Sequence, residues 1–321
     1  MKTAVVGRTG VRVSALGFGA ADIGNLYTAI DPEVARSTVD AAWEAGVRYF
    51  DTAPHYGLGL SERRLGEALR DRPRDEYTVS TKVGRLLVPN PAGGGRRDAE
   101  FDVPADLTRR FDFSADGVRR SLESSVDRLG LSHVDIALMH DPDEHWEQAI
   151  SEAYPALHEL RAQGVVRAIG VGMNQWPMLA RFVRETDLDV VMLASRYTLL
   201  EQPALRALLP ACAQRCVSVL AAGVFNSGLL AVDDPAPDAR YDYRPAPPEV
   251  REKALRIKEI CALHGVSLPG AAIAFVLAHP AVVSAVVGTR SPEQARRNVA
   301  LCDAGVPPEL WTDLAAKGLI P

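Results

Sequence analysis

The 321-residue sequence predicts an α/β protein folded as a single (β/α)₈ barrel of the TIM type, one domain spanning residues 1–321. Three observations carry the prediction. Short apolar runs alternate with amphipathic segments along the whole chain, there are eight such runs, and they are apolar on both faces, as parallel strands covered by helices must be. Eight alternating units joined by right-handed crossovers close most economically into a barrel. An open doubly wound sheet is disfavoured, because no run is followed by a GxGxxG-type phosphate turn.

In chain order, the opening residues MKTAVVGRTGVRVSALGFGA alternate and turn through Gly10, which predicts an N-terminal β-hairpin. The eight strand-like runs fall at 15–18, 47–50, 77–81, 134–139, 165–171, 190–193, 217–221 and 282–287. Helical periodicity occupies 32–45, 62–70, 114–129, 147–163 and 203–214, each starting near a cap residue or a proline. The third is the clearest: Ser114 caps, Val118, Leu122, Val126 and Leu129 form an apolar stripe, and Gly130 stops the helix. Two long connections, 84–113 with its triple glycine and 233–248 with its Pro, Asp and Tyr, read as irregular loops. Both follow strands, so they belong to the C-terminal face, where barrel active sites form.

Composition narrows the function. A hydrophobic content of 47%, 24% charged residues and a net charge of −5 describe a globular protein with no basic footprint for nucleic acid or an anionic membrane. No stretch reaches the roughly 18 apolar residues of a membrane span, and the N-terminus lacks the apolar core of a signal peptide, so a cytoplasmic location is expected. The four cysteines read as buried reduced thiols. Cys212 and Cys216 stand four apart on a helix but have no His or Cys nearby to complete a metal set, and His133 precedes the strand that His140 follows, so no metal site is expected.

Reactive groups gather at the strand ends. The second run leads into FDTAPHYG with Asp51 and Tyr56, the third into STKVG with Lys82, and the fourth into ALMHDPD with His140. A tyrosine hydroxyl ionises near pH 10, but a neighbouring ammonium lowers that value, and an aspartate keeps the lysine charged. Histidine donates a hydrogen bond to an oxygen gaining negative charge. None of these is a hydride source, so a redox role requires a cofactor. Asp141 and Asp143 allow a glycosidase pair, although an Asp-Pro turn explains them more simply. Arg196 and Tyr197 fit either a pocket wall or packing.

Several segments together resemble the aldo-keto reductase family: FDTAPHYG with GLSERRLGEAL, RSLESSVDRLGLSHVDIALMH, GVVRAIGVGMN and VVGTRSPEQARRN, in register over essentially the whole chain. The resemblance implies an NAD(P)-dependent oxidoreductase in which Tyr56 is the general acid/base, Lys82 and Asp51 tune it, and His140 orients the substrate. It places Asn174 at the nicotinamide carboxamide, and Gly288, Thr289, Arg290, Gln294 and Asn298 at the adenosine end. Asn226, Ser227, Gly228 and Leu229 of NSGLL fall near the pyrophosphate. Two positions depart from the family pattern: Ala222 stands where a tyrosine commonly stacks on the nicotinamide, and Ala194, beside Ser195, where a glutamine often partners Asn174. Arg290 suits a 2′-phosphate, while Gly288 replaces the lysine of many NADP users, so the cofactor is NADP or NAD with NADP slightly ahead.

Within the family, HDPD, GVGMNQW, SRYTLLEQ and GVFNSGLL resemble the bacterial branch of aldose 1-dehydrogenases and pyridoxal 4-dehydrogenases. This implies a sugar or aldehyde as the small-molecule partner, with a ring hemiacetal (of L-fucose, for example) oxidised to a lactone. Pyridoxal oxidation, general aldehyde reduction and a regulatory subunit on the same fold stand as alternatives.

Overall fold

The computed structural model describes all 321 residues. Eight parallel strands, Leu16–Gly19, Tyr49–Asp51, Thr78–Val83, Ile136–His140, Ala168–Met173, Val190–Ala194, Ser218–Ala222 and Val282–Gly288, each bond to the next in sequence, and the last bonds to the first. Every predicted run contributes one barrel strand. Several strands end one or two residues later than predicted, at Asp51, Lys82–Val83 and His140 among others. Apolar patterning stops where reactive polar side chains begin, although the ladder continues through them.

The N-terminal hairpin pairs Thr3–Val5 with Arg12–Ser14 and plugs one mouth of the barrel. Val6, Val11 and Val13 are fully buried in one cluster with the interior side chains Tyr49, Ile136, Leu138 and Leu220. Tyr49 fills the space beside Gly17, where a Cβ would lie 2.7 Å from its ring. Only glycine lets that ring lie inside the barrel, where its hydroxyl lies 2.9 Å from Ser80 Oγ.

Outside the barrel, Pro32–Glu44, Leu60–Leu69 and Ala115–Leu129 realise the first three predicted helices. Ser114 Oγ accepts from Gly117 N–H at 3.0 Å, and Gly130 ends the third helix at φ +61°. The fourth predicted helix is interrupted: Trp146–Gln148 passes through a wide π turn, Ala149–Ala153, into Tyr154–Ala162. Pro155 explains the break, because it has no N–H to return to the preceding turn. The fifth opens as a 3₁₀ turn, Pro203–Arg206, before Leu208–Arg215. Later helices Pro248–Leu263, Leu268–Leu277 and Pro308–Ala316 share a separate apolar cluster around Ile257, Cys261, Leu310 and Leu314. No single helix is long and apolar enough to cross a membrane.

Two expectations need correction, and one open alternative resolves to packing. The connection 84–113 contains an antiparallel ribbon, Arg85–Pro89 with Leu107–Phe111, and 233–248 a shorter one, Arg240–Tyr241 with Arg244–Pro245. Their arginines and prolines hide strand alternation from a reading based on hydropathy. Cys216 is exposed at a helix C-cap, at φ +56°, whereas Cys212 and Cys261 are buried. Arg196 is held by both carboxylate oxygens of Asp242, and Tyr197 packs against Phe275 and His279.

Candidate active site

The C-terminal ends of the strands enclose a cavity of 610 Å³. Strands two to four bring Asp51, Tyr56, Lys82 and His140 to it, and strands five, six, seven and eight add Asn174, Ala194, Ala222 and Gly288. The four residues singled out for proton chemistry thus share one wall, and the residues singled out for a dinucleotide follow the other half of the rim.

Tyr56 sits in the turn after the second strand. Its neighbour Gly57 has φ +61°, and a Cβ there would collide with the Gly24 carbonyl. Glycine permits this close approach, which fixes where Tyr56 leaves the backbone. Lys82 Nζ donates to Tyr56 Oη at 3.0 Å, Asp51 Oδ2 at 2.7 Å and the Thr52 carbonyl at 3.1 Å, so its three protons are all engaged. Asp51 Oδ1 accepts from Ser80 Oγ at 2.7 Å, and Ser80 Oγ lies 2.9 Å from the Tyr49 hydroxyl. A buried chain therefore runs from the barrel interior to the phenol: Tyr49, Ser80, Asp51, Lys82, Tyr56. Next to Lys82, Thr81 donates outward to the buried Glu62 at 2.8 Å, and Glu62 is paired with Arg128 at 2.6 Å. The third strand is thereby fixed from the helix side as well.

Electrostatics follow from this burial. Loss of water raises the Tyr56 pKa, and Lys82, by charge and by hydrogen bond, offsets only part of the rise. The lysine does pull the phenol down, as its type and position suggest, but burial pulls harder, and Tyr56 is neutral at neutral pH. Burial also works against the Lys82 ammonium, but Asp51 and Tyr56 outweigh it, and its pKa is raised. His140 is pushed well below its ordinary value by burial and then by Arg85, Lys82, His55 and Arg109. It is therefore a neutral imidazole, able to donate through one N–H. Its ring stands edge-on to Tyr56, centroids 6.0 Å apart, and its buried Nδ1 has no protein partner.

On the other half of the rim, Asn174 Nδ2 donates to the Ala194 carbonyl at 3.2 Å, backbone taking the place of the expected glutamine side chain. Asn226 and Ser227, both at positive φ, and Gly228 form a turn after the seventh strand, and the buried Asn226 Oδ1 lacks a partner. Ser227 Oγ accepts from the Tyr243 N–H at 2.9 Å, and Leu229 is wholly buried, so it offers a ligand only its backbone. Thr289, Gln294 and Asn298 gather at the start of helix Pro292–Asp303: Gln294 accepts from Arg290 N–H at 2.9 Å, and Asn298 reaches Thr289 Oγ1 at 3.5 Å. Arg290 lays its guanidinium along the carbonyls of Leu26 and Thr28, at 3.4 and 3.3 Å. The Asp22 carboxylate occupies the space that a side chain on Gly288 would need. An amide donor at the cavity, a side-chain oxygen left without a partner and an exposed helix N-terminus make a donor set that fits a nicotinamide dinucleotide.

Residue patterns alone did not single out His55, Arg85, Glu100, Phe101 or Tyr243, which line the same cavity. His55 Nδ1 accepts from Arg109 Nε at 2.8 Å, which leaves its Nε2 proton to face Glu100 at 3.3 Å. Phe101 and Glu100 arrive on the connection after the third strand, which offered only its position as a signal. His133 lies at the opposite mouth, beside Asp135, in a second cleft lined by paired arginines and aspartates. Asp141 pairs with Arg85.

Comparison with known proteins places this geometry. Residues 15–318 match the model of the aldo/keto reductase family. The chain is 50% identical to a D-threo-aldose 1-dehydrogenase of Pseudomonas sp. over 97% of its own length and 96% of the relative's. It is 39% identical to pyridoxal 4-dehydrogenase of Microbacterium luteolum, covering 98% of this chain and 97% of that one. The fold of glycerol dehydrogenase AKR11B4 from Gluconobacter oxydans superposes with a TM-score of 0.80 at 24% identity, over 99% of this chain and 97% of the other. Family model, near-full-length relatives and barrel agree: the chain belongs to the aldo/keto reductase family, NAD(P)-dependent oxidoreductases acting on alcohol and aldehyde carbons.

Proposed function

We propose that the protein is an aldose 1-dehydrogenase, oxidising the hemiacetal carbon of a sugar ring to the lactone. The observation that carries the proposal is the setting of Tyr56. A neutral phenol bonded to a lysine ammonium stands in a cavity whose mouth presents Arg85, Asp141, Glu100 and His55, hydrogen-bonding groups suited to a polyhydroxylated ligand. The relative at 50% identity carries the name of this activity.

Asn174, the 226–229 turn and the residues from Gly288 to Asn298 would hold the dinucleotide, which supplies the hydride acceptor in oxidation and the hydride donor in reduction. In oxidation Tyr56 acts as its phenolate, the form that the Lys82 ammonium stabilises and that rising pH populates, and takes the proton of the C1 hydroxyl as the carbonyl forms, ending as the neutral phenol. In reduction the same hydroxyl returns its proton to the developing alkoxide. His140, neutral, donates to that oxygen in both directions. Asp51 fixes Lys82, and Ser80 fixes Asp51.

For the cofactor, the placement of Asp22 and Arg290 supports NAD over the NADP that Arg290 alone suggests in the sequence. A 2′-phosphate near Gly288 would meet the Asp22 carboxylate, whereas a ribose hydroxyl would donate to it, the arrangement by which an acidic side chain favours NAD. Arg290 is already engaged by two carbonyls.

A second reading, pyridoxal oxidation, is favoured by the aromatic flank: the Phe101 ring lies 6.1 Å from Tyr56, with Tyr27 and Tyr243 on the same cavity. One experiment separates the two: reduced-nicotinamide absorbance with NAD and NADP against L-fucose, D-arabinose, L-galactose, pyridoxal and simple aldehydes. Sugars at higher kcat/KM than pyridoxal and propanal support the proposal, and pyridoxal or propanal as the better substrate overturns it.

A further inference from the structure

Asp141 stands directly after His140, and its backbone is left-handed at φ +46°, a conformation that costs energy for a residue with a Cβ. Its N–H makes the next bond of the ladder, to the Gly172 carbonyl at 3.0 Å, so the strained residue is firmly placed. The turn presents the carboxylate to the cavity, where Oδ2 lies 3.6 Å from His140 Nε2. The Arg85 guanidinium, from the ribbon after the third strand, pairs with the same oxygen. Oδ1 makes no protein hydrogen bond and is not sealed from the cavity.

The spacing has a chemical meaning. His140 Nε2 and Asp141 Oδ2 are too far apart to bond to one another and close enough to bind two oxygens that are themselves neighbours. Oxygens on adjacent gauche carbons stand about 3 Å apart, so one can accept from the imidazole while the other donates to the carboxylate at about 2.7 Å. The first is the oxygen on the reacting carbon, because it must also reach Tyr56. The second is the hydroxyl on the next carbon.

We propose that Asp141, held by Arg85, is a specificity-determining residue that accepts a hydrogen bond from the hydroxyl vicinal to the reacting carbon, so that the enzyme selects 2-hydroxy sugars over their 2-deoxy counterparts. The inference rests on the aldose reading above and goes beyond it by naming which hydroxyl is read and by which group. A hydrogen bond to a charged acceptor discriminates, since a ligand that displaces water from the half-buried carboxylate but lacks the hydroxyl leaves Oδ1 without a donor, Arg85 serving only Oδ2.

The test is a cycle between residue and substrate. D-arabinose and 2-deoxy-D-ribose differ at C2 by the single hydroxyl, because removing it erases the configuration of that carbon. For the native enzyme the ratio of kcat/KM, arabinose over deoxy sugar, is expected at about 30-fold or more. In Asp141→Ala the ratio should collapse to within about 3-fold. Asp141→Asn should fall between, because the amide oxygen still accepts but carries no charge. NAD affinity by fluorescence titration establishes that each variant is folded. A ratio near 1 in the native enzyme overturns the proposal without needing any variant. A ratio that persists in Asp141→Ala also overturns it, and shows instead that Asp141 only positions His140, a role that slows both sugars alike. Failure of the aldose reading looks different: no sugar is turned over by the native enzyme, and the inference falls with it.

Discussion

The Lys82 ammonium lies 3.0 Å from the Tyr56 hydroxyl and is held there from behind by Asp51 at 2.7 Å, with lysine and aspartate almost wholly buried. Burial raises the phenol's pKa and the ammonium lowers it, so Lys82 sets how far up the phenol goes. Lys82→Met removes the lowering contribution. The alkaline limb on which oxidation rises with pH should move to higher pH, while reduction, which needs the protonated phenol, keeps its neutral plateau. Measuring kcat/KM against pH in both directions checks this; an unmoved oxidative limb contradicts it. The variant also leaves Asp51 without its ion partner, at a cost of about 3–5 kcal/mol in stability, so the comparison belongs well below its melting temperature.

His140 links catalysis to acid stability. Its folded pKa lies well below the ordinary histidine value because burial opposes the charge. Below about pH 6.5 the unfolded chain therefore binds a proton that the folded chain refuses, and stability falls as pH drops toward the folded value. His140→Gln removes this term. Between about pH 7 and 5.5 it should lose about 1 kcal/mol less unfolding free energy than the parent in urea titrations. Its kcat should drop by about 10–100-fold through the lost donor. Equal acid sensitivity in the two proteins would refute the assignment of a neutral imidazole.

Asp22 acts in the opposite sense. Burial lifts its carboxyl to about 6, against the pull of Arg290. The folded state holds the proton more tightly than the unfolded state, so the resulting stability is complete below about pH 4 and lost as pH rises through about 6. Asp22→Asn should stabilise the protein by about 1–2 kcal/mol at neutral pH and by nothing near pH 4, the figure allowing for the partial solvent exposure of Asp22. If Asp22 disfavours a 2′-phosphate, the same variant should improve NADP affinity about 10-fold relative to NAD. An unchanged ratio of dissociation constants removes Asp22 from cofactor choice.

Arg109 ties the ribbon over the cavity to the turn that carries Tyr56. It donates to His55 Nδ1 at 2.8 Å, to the His55 carbonyl at 3.0 Å and to Asp98, and beside it Glu100 and Phe101 line the cavity. Arg109→Ala should loosen this wall. KM for an aldose should rise about 5–10-fold and that for propanal less than about 2-fold, because only the larger ligand reaches the ribbon. Equal changes for both would deny the ribbon a role in substrate binding.

All eight barrel strands and the placing of Asp51, Lys82 and His140 at strand ends were legible in the sequence, because continuous apolar runs broken by one polar residue are what a parallel barrel with a working rim requires. The two ribbons were not, since arginines that look solvated, such as Arg85 and Arg109, are spent on Asp141 and Asp98. Nor was the direction of the Tyr56 shift. The residue types predict attraction to Lys82, but whether burial outweighs it depends on how completely the ring is enclosed, a three-dimensional quantity. The left-handed turn at Asp141 is hidden for the same reason: Asp-Pro looks like an ordinary turn until its carboxylate is seen beside His140.

Tyr56→Phe tests the proton-transfer role of Tyr56 most directly, because it removes the ionisable atom and keeps nearly all of the ring's packing. Turnover of the best sugar substrate and the NAD dissociation constant are measured on the same preparation. General acid/base catalysis contributes about 10²–10⁴-fold, so kcat should fall by at least that range while the dissociation constant stays within about 2-fold. Turnover near that of the native enzyme, with cofactor bound normally, would contradict the account.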